Sequence, residues 1–300
     1  MESGAPCPQP VHRGLHWRIW GAEATGTALL VLGALSAVAL TVGDDAAVAD
    51  IVSSTSVRLL FAGLLVGAVV ALIAVSPLGR LSGSHLNPAI TLALGVLGRV
   101  GARDVGGYLV AQFAGALAGA LAFHMLWGSI ALSVGGGVTH PSVAPPVALA
   151  VEAAMTGLLV TTILFFLSRE RLARWTPLAV WALIALLIWG VSRYTGTSLN
   201  PARSEGPAVA FGDLSDLWVY LIAPVAGALA VAVLWRCTRP SMHPKTAKLF
   251  HDRRYPCAFS SDLPAMAPGA PTIRYRTRPG AIRRARAARA QTRPRTPGTR

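Results

Sequence analysis

Residues 82–89 read Ser-Gly-Ser-His-Leu-Asn-Pro-Ala and residues 195–202 read Thr-Gly-Thr-Ser-Leu-Asn-Pro-Ala, one frame written twice, 113 residues apart. Asn is a favoured helix N-cap because its side-chain oxygen accepts from a free backbone N–H. Pro suits the first helical position, where its missing N–H costs least. Each Asn-Pro pair is therefore a helix start signal. The apolar runs that follow, 87–98 and 200–211, last about three turns. A bilayer core about 30 Å thick needs roughly 20 apolar residues as helix. Neither run can cross it, so both are expected to enter and leave on the same side.

Working outward, six longer apolar stretches surround these two: 22–43, 57–79, 105–128, 147–168, 175–193 and 216–236. Each is long enough to span. The repetition extends beyond the paired loops. Residues 108–117, YLVAQFAGAL, return as 220–229, YLIAPVAGAL, and Glu23 in EATGTALLVL is echoed by Glu152 in EAAMTGLLVT. Each half is then span, span, Asn-Pro-Ala segment, span. Three spans per half is odd, so the second copy enters the membrane upside down, and such inverted repeats place their site at the midplane where broken helices meet. The expected fold is an all-α membrane protein of six transmembrane helices and two re-entrant half-helices.

With 53% hydrophobic and 13% charged residues and a mean hydropathy of +0.52, the chain is too apolar for a soluble domain. The net charge of +14 belongs entirely to the end of the chain. Residues 236–300 hold 16 Lys and Arg against Asp252 and Asp262, and residues 1–235 balance to zero. Three divisions follow: a segment 1–19, a spanning body 20–236, and a basic tail 237–300. The tail is rich in Arg, Pro and Ala without apolar periodicity and is expected to be disordered. It reads either as a solvated extension or as a tether to anionic lipid, and lacks the folded scaffold that nucleic-acid binding would need. Cys7, Cys237 and Cys257 flank the body and support no disulfide framework. The first nineteen residues contain no apolar run, so a cleavable signal is not expected in them. Arg13, Arg18, Arg80, Arg99, Arg103, Arg169, Arg171 and Arg174 gather on one side, whereas Asp44, Asp45 and Asp50 lie on the other. By the positive-inside rule both termini are expected to be cytoplasmic, in a plasma or inner membrane.

A helix start buried at the midplane points the positive end of its dipole there. Asn87 and Asn200 then each offer an amide donor to one passing molecule, and two positive ends raise the barrier to cations and protons. Arg203, beside the second motif, is costly in the membrane unless it faces water or carbonyls, which makes it a candidate pore donor. Glu23 and Glu152 read as acceptors for backbone N–H groups of the neighbouring re-entrant loops. His85 reads as a further brace.

On SGSHLNPA, TGTSLNPARS, the two Glu-bearing helices and Tyr108–Gln112, the sequence resembles the aquaporin and aquaglyceroporin family over 20–236. That resemblance implies a passive channel for water or small neutral solutes such as glycerol, excluding ions and protons, built as a homotetramer with a pore in every copy. It implies pore motifs Asn87, Pro88, Ala89, Asn200, Pro201 and Ala202. It also implies an outer selectivity ring of four positions: Arg203, Thr197, Ile188 (twelve before Asn200) and Gly67 (twenty before Asn87). A one-residue gap would put Val66 in place of Gly67. A Gly/Ile/Thr/Arg ring is wide and apolar, favouring glycerol or urea alongside water, and on this reading Gly67→Phe narrows it. Ser204, Ala208 and Tyr220 look like the water-channel pattern and Leu221 like the glycerol one, leaving the solute open. Arg80 and Glu205 depart from the family pattern and are expected to form loop salt bridges.

Two other classes fit six spans with an inverted repeat: an ion-coupled carrier and a membrane scaffold that does not conduct. An enzyme is not expected, because the sequence pairs no nucleophile with a base and carries no phosphate-binding Gly loop. Neither a metal cluster nor a cofactor motif is present in it.

Overall fold

The computed structural model describes residues 15–43, 46, 48–239, 241–252, 255, 259 and 261–263. Cys7, Cys257, Arg13, Asp44, Asp45 and most of the basic tail lie outside them. All described residues fall in one unit.

Eleven α-helices occur among the described residues: α1 (Trp17–Thr41), α2 (Thr55–Val75), α3 (Pro77–Ser82), α4 (Pro88–Val96), α5 (Ala102–Trp127), α6 (Ser129–Ser133), α7 (Pro145–Leu167), α8 (Glu170–Ala173), α9 (Thr176–Thr195), α10 (Pro201–Phe211) and α11 (Leu217–Thr238). Six of them, α1, α2, α5, α7, α9 and α11, are long and apolar enough to cross a membrane. The two short ones that begin at Asn-Pro, α4 and α10, are not. The second span ends earlier than its apolar run suggests. A residue before Pro is pushed out of the helical region. Ser76 accordingly sits at ψ 166°, α2 stops at Val75, and α3 begins at Pro77 with the Ser76 hydroxyl accepting from Gly79 N at 3.4 Å.

Packing follows the repeat. In the first half α1 packs along α5, and in the second α7 packs along α11; α4 lies against α11, and α10 against α5. Each half-helix is thus held by a span of the other half. The α2–α9 pair closes the arrangement. Small residues set the closest approaches. A Cβ on Gly115 would stand 2.2 Å from Ala24 O, and one on its counterpart Gly227 2.0 Å from Ala153 O. Such backbone contact is available only where the side chain is absent, and it is the usual source of helix association within lipid.

The tail departs from expectation, and the disordered extension proposed from residue 237 is corrected for its first part. Residues 241–252 lie across the face on which α1 begins and α11 ends, hereafter the terminal face. Lys245 N donates to Leu167 O at 2.8 Å and Leu249 N to Gly83 O at 3.0 Å. Thr246, Ala247, Lys248 and Leu249 are buried. The reason is local. A short patch with Leu249, Phe250, Phe259 and Leu263 is diluted in a basic average over 64 residues, yet it supplies apolar side chains and free N–H donors at helix ends that leave carbonyls unpaired.

Overpacking a helix seam costs about 1–3 kcal/mol or more. Gly227→Val is therefore expected to lower the thermal unfolding midpoint of the detergent-solubilised protein clearly. Gly106→Ala, where a Cβ meets nothing within 4 Å, is expected to leave the midpoint unchanged or slightly raised.

Candidate functional site

The two Asn-Pro-Ala loops share an unusual backbone. Ser84 and Leu86 in the first, and Thr197 and Leu199 in the second, have positive φ of 57°, 53°, 51° and 59°. For residues with a Cβ this region costs about 1–2 kcal/mol each, so something must hold it. Two buried carboxylates do. Glu23 Oε1 accepts from Leu86 N at 2.5 Å and from Gln112 Nε2 at 2.9 Å. Glu152 accepts from Ser198 N and Leu199 N, both at 2.9 Å, and from the Thr195 hydroxyl at 2.8 Å. The repeated tyrosines add a second tie, Tyr108 donating to Ser82 O and Tyr220 to Thr195 O. His85 sits in the first loop, with Nδ1 3.1 Å from the Thr91 hydroxyl and Nε2 donating to Ala247 O at 2.8 Å.

With the loops fixed, the half-helix starts face one another. Asn87 Oδ1 caps α4 through Ala89 N at 2.9 Å, and Asn200 Oδ1 caps α10 through Ala202 N at 3.1 Å. Their amide nitrogens cross the repeat: Asn87 Nδ2 donates to Leu199 O at 2.8 Å and Asn200 Nδ2 to Leu86 O at 2.7 Å. Each NH₂ carries a second hydrogen, and both Asn side chains line one cavity.

That cavity measures about 500 Å³. At the mouth opposite the terminal face it is lined by Val42, Thr55, His140 and Arg193; midway by Asn87 and Asn200; at its other end by His85 and Leu249. The walls between are mostly aliphatic. His140 bridges two carboxylates at the far mouth, Nδ1 at 2.9 Å from Asp216 Oδ2 and Nε2 at 3.2 Å from Asp213 Oδ2. The Ser215 hydroxyl and N–H hold the Asp213 carboxyl below its ordinary range.

Of the four ring positions, three line the cavity. Arg203 reaches Gly137 O from Nη1 at 3.3 Å, Thr197 Oγ1 lies 3.5 Å from Leu187 O, and Ile188 is on the α9 stripe Val180, Ile184, Ile188, Ser192. Gly67 does not, and its assignment is corrected. A Cβ there would meet Trp181 O at 2.6 Å, as one on Gly63 would meet Ala185 O at 2.6 Å. Both glycines belong to the α2–α9 seam. The lumen-facing stripe of α2 is Leu59, Ala62, Val66 and Val70. Val66, the position that a one-residue gap gives, is on that stripe, and Gly63 opposite Ala185 in the antiparallel α2–α9 pair brings Leu59 and Ala62 toward the level of Ile188. Counting back from Asn87 misses this because the chain breaks at Ser76–Pro77 and so loses helical phase. Phase taken from the Ser76–Pro77 stop, together with the spacing of 59, 62, 66 and 70, would have found the stripe.

The salt-bridge expectations divide. Arg80 pairs with Asp252 at 2.8 Å, a tail residue rather than a loop partner. Glu205 has no ion pair among the described residues, and its Oε2 is buried without a hydrogen bond. The Arg193 guanidinium stands 5.0 Å from the Tyr194 ring centroid. Cys237 is exposed and free.

Comparison with known proteins adds to this geometry. A family profile described as Major intrinsic protein matches residues 11–235. Glycerol uptake facilitator protein-like 6 of Lactiplantibacillus plantarum is 35% identical over 216 residues, covering 70% of this chain and 93% of the relative. The probable aquaporin NIP7-1 of Arabidopsis thaliana is 33% identical over 242 residues, or 76% of this chain and 80% of the relative. The X-ray structure of the aquaglyceroporin from Plasmodium falciparum matches with a TM-score of 0.61 and 22% identity, covering 76% of this chain and 99% of that one; it bears on the fold alone.

Replacing Glu152 by Gln turns one of its acceptor oxygens into a donor facing the loop. An unsatisfied buried N–H costs about 1–3 kcal/mol. Glu152→Gln is expected to lower the unfolding midpoint and to reduce solute flux per protein in liposomes, whereas Glu170→Gln, on the terminal face, is expected to change neither.

Proposed function

The chain belongs to the major intrinsic protein family, and from that premise we propose that it is a passive membrane channel for water and for small uncharged solutes of the glycerol class. The carrying observation is one lumen that meets two inward-pointing half-helix starts and then Arg203. The positive dipole ends and the guanidinium oppose cations, and two Asn donors bind a passing oxygen and turn it, which breaks a proton-conducting file. Nothing in this requires an ion gradient. Of the carboxylates that a proton-coupled carrier would titrate, Glu23 bonds its loop through Oε1 and Glu152 bonds its loop through both oxygens.

Solute size is governed at the level of Ile188, where Ala62, Thr197 and Arg203 join it. An alanine opposite an isoleucine leaves an apolar wall for a carbon chain, and the arginine and loop carbonyls offer partners to hydroxyls. The relatives named above as a glycerol uptake facilitator and an aquaporin support the same pair of solutes. Ser204, which looks like a water-channel residue in sequence, is engaged in bracing: its hydroxyl is 2.6 Å from the Ser198 hydroxyl and accepts from that of Thr139 at 2.8 Å.

The terminal face collects Arg18, Arg80, Arg99, Arg103, Arg169, Arg171 and Arg174, which supports a cytoplasmic position for both chain ends. We assign it to a plasma or inner membrane, and the family likeness supports a homotetramer with a lumen in each copy.

The test is stopped-flow shrinkage of proteoliposomes under sorbitol, glycerol and urea gradients, with no ion gradient. Uncoupled water and glycerol flux above that of empty liposomes is expected, in full once the tail is cut away. Ala62→Phe is expected to lower glycerol flux severalfold and water flux less, and Gly67→Phe to impair folding rather than narrow the lumen. Flux that requires a proton or sodium gradient would make the protein a carrier. Absence of flux that persists after the tail is cut away would make it a scaffold.

A further inference from the structure

Leu249 belongs to the tail, yet it lines the same cavity as Asn87 and His85. It is 1% exposed, and Lys248 beside it is 2% exposed. The polar groups that would meet water in an open mouth are taken by this segment. Gly83 O accepts from Leu249 N, His85 Nε2 donates to Ala247 O, and Arg80 O accepts from Lys248 Nζ at 2.6 Å. A Cβ on Gly83 would lie 3.4 Å from both Ala247 O and Lys248 Cα, so tail and pore loop are in van der Waals contact.

Anchors fasten the segment on both sides. Before it, Met242 O accepts from Trp235 Nε1 at 2.7 Å and from the Ser168 hydroxyl at 3.0 Å. After it, the Arg80 guanidinium pairs with Asp252 at 2.8 Å and stands 5.4 Å from the Phe250 ring centroid. Beyond that, Phe259 packs on the rings of His85 and Tyr108, and Asp262 pairs with Arg99 at 2.6 Å. Backbone this deeply seated fills the path, with the Leu249 side chain at the end of the lumen.

We propose that residues 244–252 are an autoinhibitory strap that closes the terminal-face mouth of the lumen, with the Arg80–Asp252 pair as its latch. The inference rests on the channel reading, since a strap has no consequence for flux without a conduit. Release frees the Gly83 and Arg80 carbonyls and the His85 ring to bind water. Asp252→Arg sets two like charges at the latch, and the exchange Arg80→Asp with Asp252→Arg re-forms it with reversed sign.

The experiment uses the full chain with a protease recognition sequence inserted after Arg239, reconstituted with protease available on both sides of the membrane. Water permeability is measured on one vesicle preparation before and after cutting and a salt wash, with loss of the tail verified by mass spectrometry. A several-fold rise is expected. In the uncut chain Asp252→Arg is expected to raise permeability, and the exchanged pair to bring it back down. Equal permeability before and after verified loss of the tail overturns the strap and leaves the channel reading standing. No permeability in either state overturns both.

Discussion

Two amide groups exchanged across the pseudo-symmetry axis hold the centre of this molecule together. Asn87 gives a hydrogen to the carbonyl of Leu199, and Asn200 gives one to the carbonyl of Leu86. Within a bilayer an unpaired backbone carbonyl costs several kcal/mol, so each loop depends on the other half for its solvation. The exchange also opposes an electrostatic penalty. Two helix starts, each carrying about half a positive charge, are brought together in a medium that screens poorly. Glu23 and Glu152, one bonded to each loop, set acceptor oxygens beside those starts.

The rest of the architecture supplies what that exchange needs. Gly115 and Gly227 let spans of one half approach closely enough to fix the position of Glu23 and Glu152 on neighbouring helices. Those carboxylates select the left-handed backbone at Leu86 and Leu199, and that backbone in turn aims the two carbonyls at the opposite Asn. A chain of constraints therefore runs from helix seam to loop conformation to lumen chemistry. Arg203 profits from the same frame, because the N-cap of α10 fixes where its backbone leaves the lumen.

Much of this was legible in the amino-acid order, and the exceptions have physical reasons. The half-helix starts were visible because Asn-Pro encodes a helix start locally, and the spans because their apolar runs exceed the bilayer thickness. That Glu23 and Glu152 accept from backbone N–H groups was legible because a carboxylate at a repeated position in a greasy helix needs donors. Gly67 was misread because its place depends on helical phase, and a break at Pro77 cannot be counted across. Leu59 and Ala62 were missed for the same reason. The seated part of the tail was hidden by its surroundings: Leu249 is one apolar residue in a basic stretch, and its burial depends on carbonyls of Gly83 and Arg80 more than 160 residues earlier. Composition describes averages, and this contact is an exception to one.

The reciprocal bonds also constrain how the protein is made. Residue 200 emerges from the ribosome long after residue 87, so the first re-entrant loop is complete in sequence while its hydrogen-bond partner does not yet exist. Until α7, α9 and the second loop enter the membrane, the Leu86 carbonyl must remain solvated by water or by the insertion machinery. The first half accordingly waits with a wet, unfinished loop, and neither loop can seal before the second has entered the membrane.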